Sequence, residues 1–186
     1  MIIRPATLAD IADIVTIYEH AVLHGTGSYE LEAPDAAEMT RRFEHFTGHG
    51  FPWFAAEEDG MVSGYTYASP FRTRPAYRWM IEDAIYVAPE AKGKGIGKAL
   101  LQRLLTECEA LGFHQMVAVI GDGKGNRGSV ALHESLGFAH AGSIEGSGFK
   151  HGRWVDTVIM QKAMNGGQGR LPDEAQFPAS AWKLIK

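Results

Sequence analysis

The chain has one cysteine, Cys108, among its 186 residues, so no internal disulfide can form. Cys108 falls at the helical spacing of nearby leucines, where a thiol packs as a small apolar group. Long apolar runs are lacking too. None approaches the roughly 20 residues that a membrane-spanning helix requires, and the opening Met-Ile-Ile-Arg-Pro has no signal-peptide core. A cytoplasmic protein with no membrane partner is the expectation. With a formal net charge of −4 and no basic stripe, nucleic acid is not expected as a partner. Metal-ligand spacing is thin: His20 and His24 lie four apart, but no carboxylate completes H-E-x-x-H, so no metal is expected. No internal repeat or second domain is evident.

The stretch from Tyr77 to Leu111 carries most of the information. Residues 79–87 are rich in β-branched and aromatic side chains and stop before Pro89, which predicts a strand. The leucines at 100, 101, 104, 105 and 111 recur at helical spacing, and Gly112 supplies a stop, so a helix is expected over 97–111. Between them lies Ala91-Lys-Gly-Lys-Gly-Ile-Gly-Lys98. The first N–H groups of such a helix have no intrahelical acceptor, and the helix dipole adds positive charge there, making an anion site. Gly93, Gly95 and Gly97 let a phosphate approach the backbone around Ile96, while Lys92, Lys94 and Lys98 add charge. A pyrophosphate is the expected guest; a solvated basic loop is the competing reading. A P-loop is excluded because Ala99 follows Lys98 where a hydroxyl is needed, and the spacing Gly93-x-Gly95-x-Gly97 is not the G-x-G-x-x-G of dinucleotide folds.

The remaining elements follow from caps and turns. Residues 2–4 predict a strand, Thr7 with Asp10 caps a first helix ending before Gly25, and Asp35 with Glu38 opens a second through about Phe46. Asp59-Gly60 predicts a hairpin between residues 51–57 and 61–69. Arg72 and Arg74 sit in a proline-bounded cationic loop, and each guanidinium offers a planar fork for a carboxylate or phosphinate. Tyr77 in the same segment is read either as a pocket wall or as a core aromatic. On the central strand Met80, Glu82, Ala84 and Tyr86 face one way, and Ile81, Asp83, Ile85 and Val87 the other. Adjacent acids in an apolar strand are costly unless hydrogen-bonded or used. Residues 115–120 predict a buried strand parallel to the first. A glycine-rich turn through Asn126 then leads to a helix from Ser129 to Leu136, with Ser129 as N-cap. Residues 139–143 and 155–162 predict antiparallel strands around a turn at 148–153. The domain is set at 1–164, and residues 165–186 are expected to form a tail that is partly mobile or docked through Trp182.

The loop Lys92-Gly-Lys-Gly95-Ile-Gly97 resembles the pyrophosphate loop of the GNAT superfamily of N-acetyltransferases, with Lys92 in place of the family's glutamine or arginine. The runs IEDAIYVAP, GFHQMVAVIGD, SVALHESLGF and GFKHGRWVDTVIMQK are similar to the phosphinothricin acetyltransferase branch, over about residues 2–163. The resemblance implies a mixed α/β fold with a mostly antiparallel, splayed central sheet flanked by helices, and acetyl-CoA as co-substrate. It implies Glu82 as the base that deprotonates a small amino-acid-like acceptor, with Asp83 left as a structural acceptor. Backbone groups of Ile85, Tyr86 and Val87 would hold the acetyl carbonyl and pantetheine. Asn126 would bond the cofactor's amide chain, with Ser129 as a second contact. His133 stands where many members carry a proton-donating tyrosine; a packed core histidine is the alternative. Tyr29, in the polar loop at residues 25–32, would border the acceptor pocket or else cover the core edge. Residues 139–162 would contribute to a twofold homodimer. Peptide N-termini, polyamines or aminoglycosides are the alternative acceptors, and a non-catalytic acyl-CoA sensor is the alternative class.

Overall fold

The computed structural model describes residues 1–178. Seven strands form one sheet in the order β1-β2-β3-β4-β5-β7-β6. In sequence, β1 (Ile2–Pro5), α1 (Ile11–His24) and α2 (Ala36–Gly48) precede the β2 (Trp53–Glu58) and β3 (Met61–Pro70) hairpin. Then come β4 (Met80–Val87), α3 (Ile96–Ala110), β5 (Gln115–Gly121), α4 (Arg127–Ser135), β6 (Ala139–Lys150) and β7 (Arg153–Ala163). Among the described residues only β4 and β5 pair in parallel, joined through α3; every other pairing there is antiparallel. The mostly antiparallel mixed sheet flanked by helices is the expected fold class.

The caps work as the sequence implies. The Asp10 carboxylate accepts the backbone N–H of Thr7 at 2.7 Å, and Arg4 donates to both its oxygens at 2.7 and 2.8 Å. Asp35 accepts from the Glu38 N–H at 2.8 Å and starts α2. Asp59 and Gly60 both have positive φ, 51° and 80°, as a two-residue hairpin turn of this twist demands.

Side-chain alternation sends each face of the sheet to a different helix pair. Toward α1 and α2 the sheet offers aromatics: Tyr86 meets Tyr18 edge-on at 4.9 Å, Phe43 meets Trp53 at 5.3 Å, and Phe46 stacks on Tyr67 at 5.8 Å. On the other face α3 closes onto the sheet through Leu100, Leu101 and Leu104, all fully buried, and its Arg103 guanidinium lies 4.4 Å from the Phe54 ring. Fully burying one such leucine is worth about 1.5–3 kcal/mol. Cys108 is buried on the same helix face, as its spacing requires.

Two expectations need correction. Helix α4 starts at Arg127, with Asn126 rather than Ser129 at its N-cap, because Asn126 accepts the backbone N–H groups of both Ser129 and Val130. Strand β6 runs on to Lys150, so the turn shrinks to His151-Gly152, both with positive φ; register shifts at 140–142 and 144–148 absorb the glycines that had looked like a loop. The segment after Ala163 is fastened by Phe177, whose ring lies 5.6 Å from Phe51 and 6.0 Å from Phe113. Trp182, expected to do this, lies outside the described residues.

Candidate active site

Strands β4 and β5 pair from Met80 with Gln115 to Asp83 with Ala118 and no further. Beyond that rung residues 84–87 stay bonded to β3, and residues 119–121 to β7, so the two strands part. A cavity of about 1090 Å³ opens along the split. Its size is at the upper end of small-molecule sites. Backbone groups on the diverging lips are not used up by a shared ladder, and must be satisfied by water or a ligand. Ile85, Tyr86 and Val87 line this part of the cavity.

At one end stands the glycine turn. Gly93 and Gly95 adopt φ of +79° and +84°, where a side chain is strained, although an added Cβ would meet nothing within 4 Å. The requirement is conformational, not spatial. Gly95 is the N-cap of α3, so the free N–H groups belong to Ile96, Gly97 and Lys98. Ile96 sends its side chain into the core, 1% exposed, and can offer a ligand only its backbone. At Gly97 an added Cβ would lie 3.3 Å from Leu132 of α4. Lys92 and Lys98 line the cavity; Lys94 does not. The donor set is a helix terminus, two lysines and an open strand edge. It fits an extended molecule with a diphosphate and amide groups, and so the coenzyme A moiety.

Midway lies Glu82, half-buried, directly across from Ser69 in the β3–β4 register. Burial, with the charge of Asp83 adding and that of Arg72 subtracting, pushes its carboxyl up to about 7. A carboxylate poised there can take a proton from an ammonium group near neutral pH. Tyr67 lines the same wall, and burial pushes its phenol up, so it stays a donor.

Asp83 faces the opposite way. Its Oδ2 lies 3.0 Å from His133 Nε2, and His133 Nδ1 lies 2.7 Å from the Ser129 carbonyl. His133 is 1% exposed. Burial acts against its protonation, but the Asp83 hydrogen bond and charge, with the Ser129 carbonyl, outweigh that and raise it above the ordinary histidine range. Both expected partners of the chemistry therefore line one cavity, but His133 is committed at both nitrogens.

The far wall is the loop after α1. Tyr29 presents its ring to the cavity, while its hydroxyl donates to the Asp156 carbonyl at 2.9 Å and accepts from Thr157 at 3.1 Å. It is a wall and a clamp at once. Thr26 donates to Asp122 at 3.0 Å, and Arg153 pairs with the same carboxylate, holding it below the usual carboxylate range. Lys150, buried by β6, donates to the Ser28 carbonyl at 2.7 Å. Asn126 and Ser129 line the cavity where β5 meets α4.

Arg72, Arg74 and Tyr77 are not brought into the cavity. They sit on an exposed loop, with the Arg72 guanidinium 5.0 Å from the Phe71 ring and Tyr77 edge-on to that ring at 5.8 Å. Arg72 nevertheless lies close enough for its charge to act on Glu82. The residues missed from sequence are Tyr67, Ser69 and Arg153. Strand alternation places Tyr67 and Ser69 on one face, but their register against Glu82 crosses an irregular loop that no local signal fixes.

Comparison with known proteins agrees with this geometry. The pattern of the Acetyltransferase (GNAT) family matches residues 14–138. A phosphinothricin N-acetyltransferase of Alcaligenes faecalis is 44% identical over 164 residues, 88% of this chain and 83% of that protein. An L-methionine sulfoximine/L-methionine sulfone acetyltransferase of Salmonella typhimurium is 38% identical, covering 87% of this chain and 93% of the other. The crystal structure of a GNAT superfamily phosphinothricin acetyltransferase from Sinorhizobium meliloti, in complex with acetyl-CoA, superposes with a TM-score of 0.93 at 48% identity, covering 97% of each chain. The split sheet, the glycine-capped helix and the family pattern coincide in one molecule, and the chain belongs to the GNAT acetyltransferase family.

Proposed function

We propose that the protein transfers an acetyl group from acetyl-CoA to the amino group of a small amino-acid-like acceptor, of the phosphinothricin, methionine sulfoximine or methionine sulfone type. The observation that carries this reading is Glu82, pushed up to about 7, in the cavity that joins the split of β4 and β5 to the loop at residues 25–32.

Acetyl-CoA supplies the activated acetyl group. The N–H groups at the start of α3, with Lys92, Gly93, Gly95 and Lys98, bind its diphosphate, and Lys94 adds long-range charge. Residues 85–87, with Asn126 and Ser129, hold the pantetheine amides and orient the acetyl carbonyl. Glu82 takes the proton of the acceptor ammonium and leaves a nucleophilic amine. The amine nitrogen attacks the thioester carbonyl, and the C–S bond breaks as the C–N bond is completed. Coenzyme A leaves as a thiolate beside the positive charge of His133, taking up the proton that the new amide nitrogen sheds. Tyr29 walls the acceptor, while Arg72 and Arg74, at the edge of the site with Tyr77, attract its acidic end. That charge disfavours polycationic acceptors.

A homodimer belongs to the same proposal. Phe149 and Trp154, paired across β6 and β7 with rings 5.2 Å apart, are 56% and 69% exposed, and Ile144 is 55% exposed, beside the edge of the sheet. A second copy would cover them. No helix among the described residues is long and apolar enough to cross a membrane; a cytoplasmic location, where acetyl-CoA is supplied, completes the proposal.

The test is thiol release from acetyl-CoA across a panel of amines. Turnover of phosphinothricin and methionine sulfone well above that of spermine, an aminoglycoside or an N-terminal peptide is expected. Spermine outpacing the amino-acid analogues would overturn the acceptor class. Tight coenzyme A binding without turnover of any amine would make the protein a sensor.

A further inference from the structure

We infer that Asp83 is a positioning residue: it holds His133, hydrogen-bonded at both ring nitrogens, as an imidazolium on the face of β4 opposite Glu82. The inference rests on the acetyltransferase reading of the cavity.

The geometry at His133 fixes its hydrogens. Nδ1 faces a carbonyl oxygen, which only accepts, so Nδ1 carries hydrogen. Nε2 faces a carboxylate oxygen, so one more proton lies on the line between Nε2 and Oδ2. Both side chains are 2% exposed, and the two residues lie 50 apart in sequence. The second oxygen, Asp83 Oδ1, is buried with no hydrogen-bond partner among the described residues. A buried polar atom left unpaired is costly. An amide oxygen would accept the same Nε2–H without burying a charge, so a purely structural bond does not require aspartate. What aspartate adds is charge, and the charge is what keeps the second proton on His133.

The groups that face the pair are few. Glu82 comes from the same strand, the Cys108 thiol from α3 and the Ser129 carbonyl from α4, while Phe138 closes His133 edge-on at 4.9 Å. Burial pushes that thiol well up, so it stays neutral. β5 brings only Ala118 to the rung shared with Asp83. No cation other than His133 itself is in hydrogen-bond contact with Asp83 among the described residues.

The experiment compares the Asp83→Asn protein with wild type by two readouts. The first is the pH profile of kcat/KM with phosphinothricin. Removing the charge lets His133 lose its proton at lower pH, so the falling limb should move to lower pH by about half a unit or more, roughly a threefold change in the protonated fraction. A falling limb that stays in place or moves to higher pH overturns the inference. The second readout needs no turnover: 15N-resolved titration of histidine-labelled protein should show both His133 nitrogens protonated at neutral pH in wild type. A wild-type His133 with a bare Nε2 at pH 7 overturns the inference, even if Asp83→Asn fails to fold. Absence of turnover with every acceptor would instead refute the acetyltransferase reading, leaving the titration interpretable.

Discussion

Ser69 and Glu82 lie directly opposite each other across β3 and β4, two rungs from the pair formed by Tyr67 and Ala84. Glu82 is thereby enclosed between a hydroxyl and an aromatic wall, and the enclosure itself is the largest cause of its raised proton affinity.

Replacing Glu82 by Gln should lower kcat by about 100-fold or more, within the range typical of a lost general base. In wild type the rate should rise with pH through about 7 as Glu82 loses its proton. Arg72→Ala removes a charge that favours the ionised form, so the limb should shift to higher pH. An intact profile in Glu82→Gln would exclude Glu82 as the base.

Gly95→Ala should act on coenzyme A alone. At φ of +84° an alanine is strained by about 1–2 kcal/mol, although its Cβ touches nothing. The Kd for coenzyme A, measured by calorimetry, should rise by roughly 5- to 30-fold while the acceptor KM stays near wild type. Equal affinity in the two proteins would remove the turn from the binding site.

Gly121→Ala tests the opposite wall. Its new Cβ would stand 2.2 Å from the Thr26 carbonyl and 2.7 Å from the Tyr29 ring, so the loop at residues 25–32 has to move. Misplacement of about 1 Å in a site can cost as much as 100-fold. The acceptor KM should therefore rise by more than the acetyl-CoA KM; a larger change for acetyl-CoA would show that this loop does not hold the acceptor.

Arg4→Ala should destabilise the fold by about 1–3 kcal/mol at neutral pH, because it leaves the buried Asp10 carboxylate with the Thr7 hydrogen bonds alone and no countercharge. Arg4, the largest cause, holds Asp10 below its usual range. The folded-state value thus lies below the unfolded one, so this contribution is present above about pH 4 and fades as pH falls through the folded value. Urea melts of both proteins should accordingly diverge at pH 7 and converge in acid. A gap that persists undiminished at low pH would show that Arg4 acts through packing.

The sequence by itself determined the local units. The strand at 80–87, the glycine turn, the leucine helix, the Asp10 and Asp35 caps and the Asp59-Gly60 hairpin all depend on periodicity, capping and turn conformation, which act over a few residues. It also separated Glu82 from Asp83 by face, since strand alternation is local. Only the tertiary structure decided where β4 and β5 stop pairing, that Asp83 meets His133 rather than standing alone, that Tyr29 spends its hydroxyl on β7, and that Arg72 and Arg74 stay outside the cavity. Those outcomes depend on register and packing between segments tens of residues apart. There the chain's own short-range preferences are silent, and the closing of one sheet against four helices settles which groups meet.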